Sequence, residues 1–166
     1  PGEVLMKIHA CAVCGTDIRI YEHGQKNVVP PRITGHEFAG VITEMGKGVK
    51  GDFKVGDKAT AVTSIGEQSC RFCKKGLFNL CDEPRYLGYF FDGGFAEQMI
   101  VPADAVRGNN ILKVDPKLSF EEIAMIEPLS CCVNGQEFLR VEPGDTVVVL
   151  GSGPIGIMHA ALARAA

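Results

Sequence analysis

The sequence predicts a mainly β fold, a small barrel or sandwich of short strands, that leads into the first strand and helix of an α/β fold. Three observations predict it. Twenty glycines in 166 residues supply the tight turns that many brief strands need. Val4, Met6 and Ile8 alternate with other residues over Val4–Ala10, the period of a strand with one buried face. From Ser119 onward the spacing becomes helical. It then yields a single apolar run, Asp145–Leu150, followed by a glycine-rich turn and a last helical stretch.

The elements follow in order. After the strand Val4–Ala10, residues 11–21 turn and make a short helix beyond Gly15. Residues 24–32 form a loop that ends in Pro30-Pro31, where no helix can run. Phe38–Glu44 is a second strand. Gly46, Gly48, Gly51 and Gly56 punctuate the way to a third, Asp57–Thr63. Residues 64–84 are an excursion that carries three cysteines. Gly93-Gly94 leads into the strand Phe95–Val101, and Ile111–Val114 is a short one. Ser119 and Glu122 read as a capping box, with Leu118 and Ile123 placed as a hydrophobic staple. Pro128 must break that helix or restart it, sitting comfortably at the first position of a new one, and that second helix runs to about Arg140.

Length allows one good core and part of a second. The chain is 46% hydrophobic and 22% charged, with net charge −3, so nothing in the balance points to nucleic acid or another polyanion. No apolar run approaches the ~18 residues of a membrane span, and no signal peptide is visible. Seven cysteines, three of them at metal-like spacing, fit a reducing, cytoplasmic setting better than a disulfide framework.

Three constellations carry chemistry. Cys14-Gly15-Thr16-Asp17, Gly35-His36-Glu37-Phe38-Ala39-Gly40 and Glu127 together offer one thiolate, one imidazole and two carboxylates. That set suits zinc with one position left open. Taken singly, each residue reads as ordinary: a buried cysteine, a hydrogen-bonded core histidine, surface carboxylates. Neighbouring strand residues face opposite ways, so a regular strand would let His36 or Glu37 ligate, not both. Asp17 is expected to hold a ligand or nearby backbone in place. Glu67, Cys70, Cys73 and Cys81 form the second set. Three thiolates are one short of a structural zinc site. Glu67 stands in the same rhythm, which leaves a Cys3Glu site, a weakly held metal or an empty lobe. The third is Gly151-Ser152-Gly153-Pro154-Ile155-Gly156 between a strand and a helix, the pattern of a dinucleotide fingerprint. The acidic residue that would separate NAD from NADP is expected ~20 positions further on, past residue 166. Cys11, Cys131 and Cys132 read as core, His9 and His23 as polar strand or loop residues, and His159 as helix packing.

In this order and spacing, these motifs together with Gly93-Gly94-Phe95-Ala96-Glu97 and Glu127-Pro128-Leu129-Ser130 resemble the zinc-dependent medium-chain alcohol dehydrogenases. Glu127-Pro128-Leu129-Ser130 is most similar to the sorbitol (polyol) dehydrogenase branch. The resemblance covers essentially the whole chain. It implies a GroES-like β-barrel catalytic domain over residues 1–141 and the start of a Rossmann domain over 142–166. It implies that Cys14 and His36 ligate a catalytic zinc, that Glu37 ligates or exchanges with water, and that Glu127 takes the fourth position directly or through water. Thr16 matches the hydroxyl that relays the substrate proton, with His36 and Glu37 beside it in the catalytic set. Gly151, Gly153, Pro154, Ile155 and Gly156 match the NAD(P) fingerprint. The implied reaction moves hydride between a secondary alcohol and NAD or NADP. The alcohol is a polyol such as sorbitol, or threonine or butanediol. A homodimer or homotetramer is implied, with neither membrane nor nucleic acid as partner. Glu67 departs from the family's first lobe cysteine. The family's first β-hairpin and most of a roughly six-stranded Rossmann sheet are missing. A fragment without activity of its own is therefore expected. The rival reading is a bare zinc-binding β-barrel or oligomerisation module.

Overall fold

The chain runs β1 (Val4–Ala12), α1 (Gly15–His23), β2 (Glu37–Met45), β3 (Lys58–Ala61), β4 (Ser64–Ile65), β5 (Arg85–Tyr86) and β6 (Gln98–Val101). It continues with α2 (Ala103–Arg107), β7 (Ile111–Lys113), α3 (Phe120–Ala124), α4 (Ile126–Leu139) and α5 (Pro154–Ala165). The computed structural model describes residues 1–165. Two compact units divide it, Pro1–Ala124 and a second that begins at Met125.

In the first unit, five strands pair antiparallel in the order β6-β1-β2-β3-β7, and β4 pairs with β5 as a separate ribbon. The alternation read from the sequence is what β1 buries. Val4 and Met6 are sealed against Phe38, Ile42, Leu87 and Val101. Ladder positions β1–β2 slip twice, between Leu5 and Met6 and between Ile8 and Ala10. The second slip leaves His9 without an opposite number, as a bulge does. The His9 ring stacks on Phe120 of α3, with centroids 4.2 Å apart and planes 9° from parallel. Lys58 Nζ sits 4.7 Å from the centre of the same Phe120 ring and donates to the Leu118 carbonyl at 2.7 Å.

α3 opens as the sequence predicts. Glu122 N–H donates to Ser119 Oγ at 3.2 Å, and Ser119 N–H donates to Glu122 Oε2 at 2.7 Å. Ser119→Ala should therefore cost about 1 kcal/mol of stability in urea unfolding. An unchanged midpoint would show that the box contributes nothing.

Three expectations change. Pro128 does not start its helix: α4 begins at Ile126, and Pro128 lies within its first turn, where a missing N–H leaves no intrahelical bond unmade. The helix ends at Arg140, whose φ of 52° is left-handed. α2 was not expected, because five residues are too few to show a period. The strand expected over Asp145–Leu150 is not formed among the described residues, and Leu150 is 95% exposed. A ladder needs a partner strand, and none of the described residues supplies one. Within the second unit α4 packs on α5. Gln136 Nε2 donates to the His159 carbonyl at 2.7 Å, and the Cys132 thiol lies 3.8 Å from the Ile155 carbonyl. No helix among the described residues is long and apolar enough to cross a membrane.

Candidate metal centre

The site is built where β1 ends, α1 begins and β2 begins. Cys14 is the N-cap of α1, with extended backbone. Its N–H donates to Asp17 Oδ2 at 2.9 Å, and its carbonyl accepts the Asp17 N–H at 2.9 Å. Asp17 therefore fixes the turn that aims the thiol. Glu37 is the first residue of β2, paired with Ala12, and His36 precedes the strand. Facing rules of a regular strand do not bind the pair there. Cys14, His36 and Glu37 each offer a ligand atom, and these atoms lie within 4.8 Å of one another. The expectation that only one of His36 and Glu37 ligates held for a regular strand, and His36 lies outside β2.

Asp17 supplies an independent sign of fit. Its Oδ1 is buried and has no hydrogen-bond partner among the described residues. An orphaned buried carboxylate oxygen is costly and calls for an explanation. It lies 3.7 Å from His36 Nδ1. A histidine that gives one ring nitrogen to a metal carries its proton on the other and needs an acceptor for it. Asp17 Oδ1 is the buried carboxylate oxygen placed nearest to take that role. A tetrahedral zinc spaces its donors by roughly 3.3–3.8 Å, so the 4.8 Å limit is compatible with one shared ion.

Burial raises the Glu37 carboxyl above its ordinary range, with the neighbouring imidazole of His36 opposing the rise. Burial, helped by the charge of Asp17, pushes the Cys11 thiol up to about 12. Cys11 is thus a protonated packing thiol, as the sequence suggests. Thr16 is half-buried in the first turn of α1. Glu127 lies in the first turn of α4, in the second unit.

Sequence reasoning missed Tyr89. Its ring is tilted 38° to the His36 imidazole with centroids 5.2 Å apart. Nothing in the run Tyr89-Phe90-Phe91 marks one aromatic as different from the next.

The second cluster gathers as its spacing suggests. Ligand atoms of Glu67, Cys70, Cys73 and Cys81 also lie within 4.8 Å of one another. Glu67 N–H donates to Cys81 Sγ at 3.4 Å, and Cys73 N–H donates to Cys70 Sγ at 3.4 Å. Such N–H···S contacts favour thiolate, and the Cys70 thiol is held below its usual range chiefly by the Cys73 N–H. Burial instead raises Cys73 to about 11, so a metal there must displace a proton. The Ser69 hydroxyl, with N–H groups of Cys70 and Ser69, lowers the Glu67 carboxyl to about 2. Glu67 is therefore a carboxylate at neutral pH, chemically fit to complete a four-donor set.

In the second unit, α5 starts at Pro154, directly after Gly151-Ser152-Gly153. A Cβ on Gly156 would fall 2.0 Å from the Gly151 carbonyl oxygen, so the last glycine is needed for the turn itself. A Cβ on Gly153 would meet nothing within 4 Å. The middle glycine thus leaves open space where a phosphate would approach the helix N-terminus. The glycines and helix fit a dinucleotide, while the preceding run lacks its ladder.

Residues 1–109 match the alcohol dehydrogenase GroES-like domain, and the chain belongs to that family. Among curated proteins it is 38% identical over 170 residues to L-threonine 3-dehydrogenase of Pyrococcus furiosus, covering 99% of this chain and 46% of that one. It is 35% identical over 167 residues to sorbitol dehydrogenase of Bacillus subtilis, covering 98% and 46%. Among solved structures it superposes with a TM-score of 0.89 and 37% identity on a protein of Sinorhizobium meliloti described as a zinc-binding dehydrogenase bound to NADP. That match covers 99% of this chain and 46% of the other. The chain spans about half the length of the relatives it matches.

Proposed function

We propose that the chain carries the zinc-holding part of an NAD(P)-dependent alcohol or polyol dehydrogenase. Its substrate is a secondary alcohol with polar neighbours: a polyol such as sorbitol, threonine or 2,3-butanediol. The observation that carries this reading is the cluster Cys14, His36 and Glu37, backed by the orphaned Asp17 oxygen beside His36. The threonine and sorbitol relatives support the substrate class, since each alcohol they are named for has a polar group on the next carbon.

Zinc in that cluster supplies a Lewis acid that lowers the pKa of a substrate hydroxyl. Cys14 and His36 hold it. Glu37 would ligate or yield to water, and Glu127 would take the fourth position directly or through water. Asp17 keeps His36 in the ligating tautomer. Thr16, two residues past Cys14, receives the substrate proton. A bound nicotinamide would supply the hydride chemistry. Gly151, Gly153, Pro154, Ile155 and Gly156 receive its pyrophosphate. In this reading residues 1–141 are the catalytic domain, and 142–166 open the dinucleotide-binding one. A second zinc at Glu67, Cys70, Cys73 and Cys81 is structural. The working protein is a cytoplasmic homo-oligomer.

The test is an assay of the full-length, zinc-loaded protein with NAD or NADP and a panel of sorbitol, xylitol, threonine and 2,3-butanediol. Nicotinamide reduction with at least one of them is expected. Zinc-loaded protein that reduces no nicotinamide with any of them would overturn the substrate class.

A further inference from the structure

We propose that Ser69 is a positioning residue of the cysteine lobe: it ties down one carboxylate oxygen of Glu67, so that Glu67 binds the lobe's metal through the other. This rests on the second, structural zinc of the proposed function and not on the catalytic centre.

A glutamate in place of a thiol changes what the site must control. A cysteine aims its sulfur with a single χ angle, whereas a glutamate aims its oxygens with three, and freezing them costs rotamer entropy. Glu67 is half-buried, so solvent competes for its carboxylate. Donors from its own turn remove that freedom. Glu67 Oε2 accepts the Ser69 N–H at 3.0 Å and also the Ser69 hydroxyl, and Oε1 accepts the Cys70 N–H. Between them stands Gln68, whose φ of 70° is left-handed. The chain turns back there, and the two N–H groups after Gln68 meet the side chain before it.

The same stretch is fastened to the thiols. Glu67 N–H donates to Cys81 Sγ at 3.4 Å. A Cβ on Gly66 would fall 2.6 Å from Cys73 Sγ and 2.8 Å from the Phe78 ring. The root of the Glu67 side chain is therefore fixed against the sulfurs, and the remaining variable is which way its carboxylate turns.

Lone pairs pick the ligand atom. A carboxylate has about four acceptor sites, two on each oxygen. Ser69 takes both on Oε2. On Oε1 the Cys70 N–H takes one and leaves one. A carboxylate oxygen of Glu67 and the sulfurs of Cys70, Cys73 and Cys81 lie within 4.8 Å of one another. Oε1 is the oxygen with a lone pair left to give to an ion among them. Without the Ser69 hydroxyl, Oε2 regains a site and the carboxylate is free to turn to water. Ser69 is exposed, so water replaces part of what its hydroxyl supplied. The expected loss is therefore at the low end of the roughly 10–100-fold that outer partners of metal ligands contribute.

The test is a cobalt(II) titration of the full-length protein against a chelator, followed through the near-ultraviolet absorption of cobalt–thiolate bonds. Every variant also carries Cys14→Ser, so that the signal reports the lobe. Ser69→Ala should weaken cobalt there about 10-fold, and Ser69→Thr, which keeps the hydroxyl, should restore it. Combined with Glu67→Cys, Ser69→Ala should change nothing, since a thiolate has no second oxygen to hold. An equal loss with and without Glu67→Cys would mean that Ser69 supports only the turn, and no loss in either would mean that it holds nothing. Either result overturns the proposal. So does a lobe that takes cobalt only after Glu67→Cys, which would make Glu67 a cap of the turn and not a ligand. The dehydrogenase reading outlives all three, because it stands on Cys14, His36 and Glu37.

Discussion

Cys14→Ser should cost the protein one of two bound zinc ions. The thiol is the only sulfur among the three donors that meet there. Replacing it removes a charged ligand held by its own N-cap geometry, a larger change than loss of an outer hydrogen-bonding partner, which itself costs 10–100-fold in affinity. A loss of more than about 100-fold is therefore expected. Cys81→Ser should remove the other zinc and leave the first. Metal content by mass spectrometry, after exchange into buffer with a weak chelator, reads both. Two ions, one lost with each variant, would mean that Glu67 completes the lobe. One ion, lost only with Cys14→Ser, would mean an empty lobe beside a working centre. No ion in the unaltered chain would overturn the metal centre. Glu67→Cys adds a direct check on the lobe. It restores a fourth thiolate and should tighten metal there, as thiolate is the softer partner for zinc.

Local chemistry made much of this legible. The Ser119–Glu122 box, the period of β1 and the cysteine spacing of the lobe all act over a few residues, and all appear where the sequence puts them. Convergence of Cys14 with His36 and Glu37 was legible only through resemblance, because the 21 residues between Cys14 and His36 carry no spacing signal. The alternation rule failed at His36 because β2 starts one residue later. The run Asp145–Leu150 has the composition of a central strand, but composition cannot supply a neighbour to pair with. Tyr89 was invisible for another reason. Its place beside His36 depends on glycines at 35, 88 and 93 meeting in space, and a single sequence shows three glycines, not their contact.

Gly93→Ala tests that contact and should be among the most damaging single-methyl additions the chain can suffer. The new Cβ would lie 2.2 Å from the Gly35 carbonyl oxygen, 2.6 Å from that of Thr34 and 2.8 Å from Gly88 Cα. All three are backbone atoms, so no side-chain rotation relieves the clash. Overpacking of this kind costs typically 1–3 kcal/mol, and with three fixed neighbours about 3 kcal/mol is expected. Urea unfolding measures it. Gly15→Ala is the control, since its Cβ would meet nothing within 4 Å and it stands at the start of α1. Alanine there should be neutral or stabilise by up to ~1 kcal/mol. The clash bears on the metal as well, because Gly35 immediately precedes His36. Pushing the 88–94 turn outward drags the histidine's backbone, so zinc affinity should fall in Gly93→Ala even where the protein remains folded. If Gly93→Ala unfolds at the unaltered midpoint and keeps its zinc, the turn is not clamped to Gly35. The position of Tyr89 beside His36 then loses its structural cause.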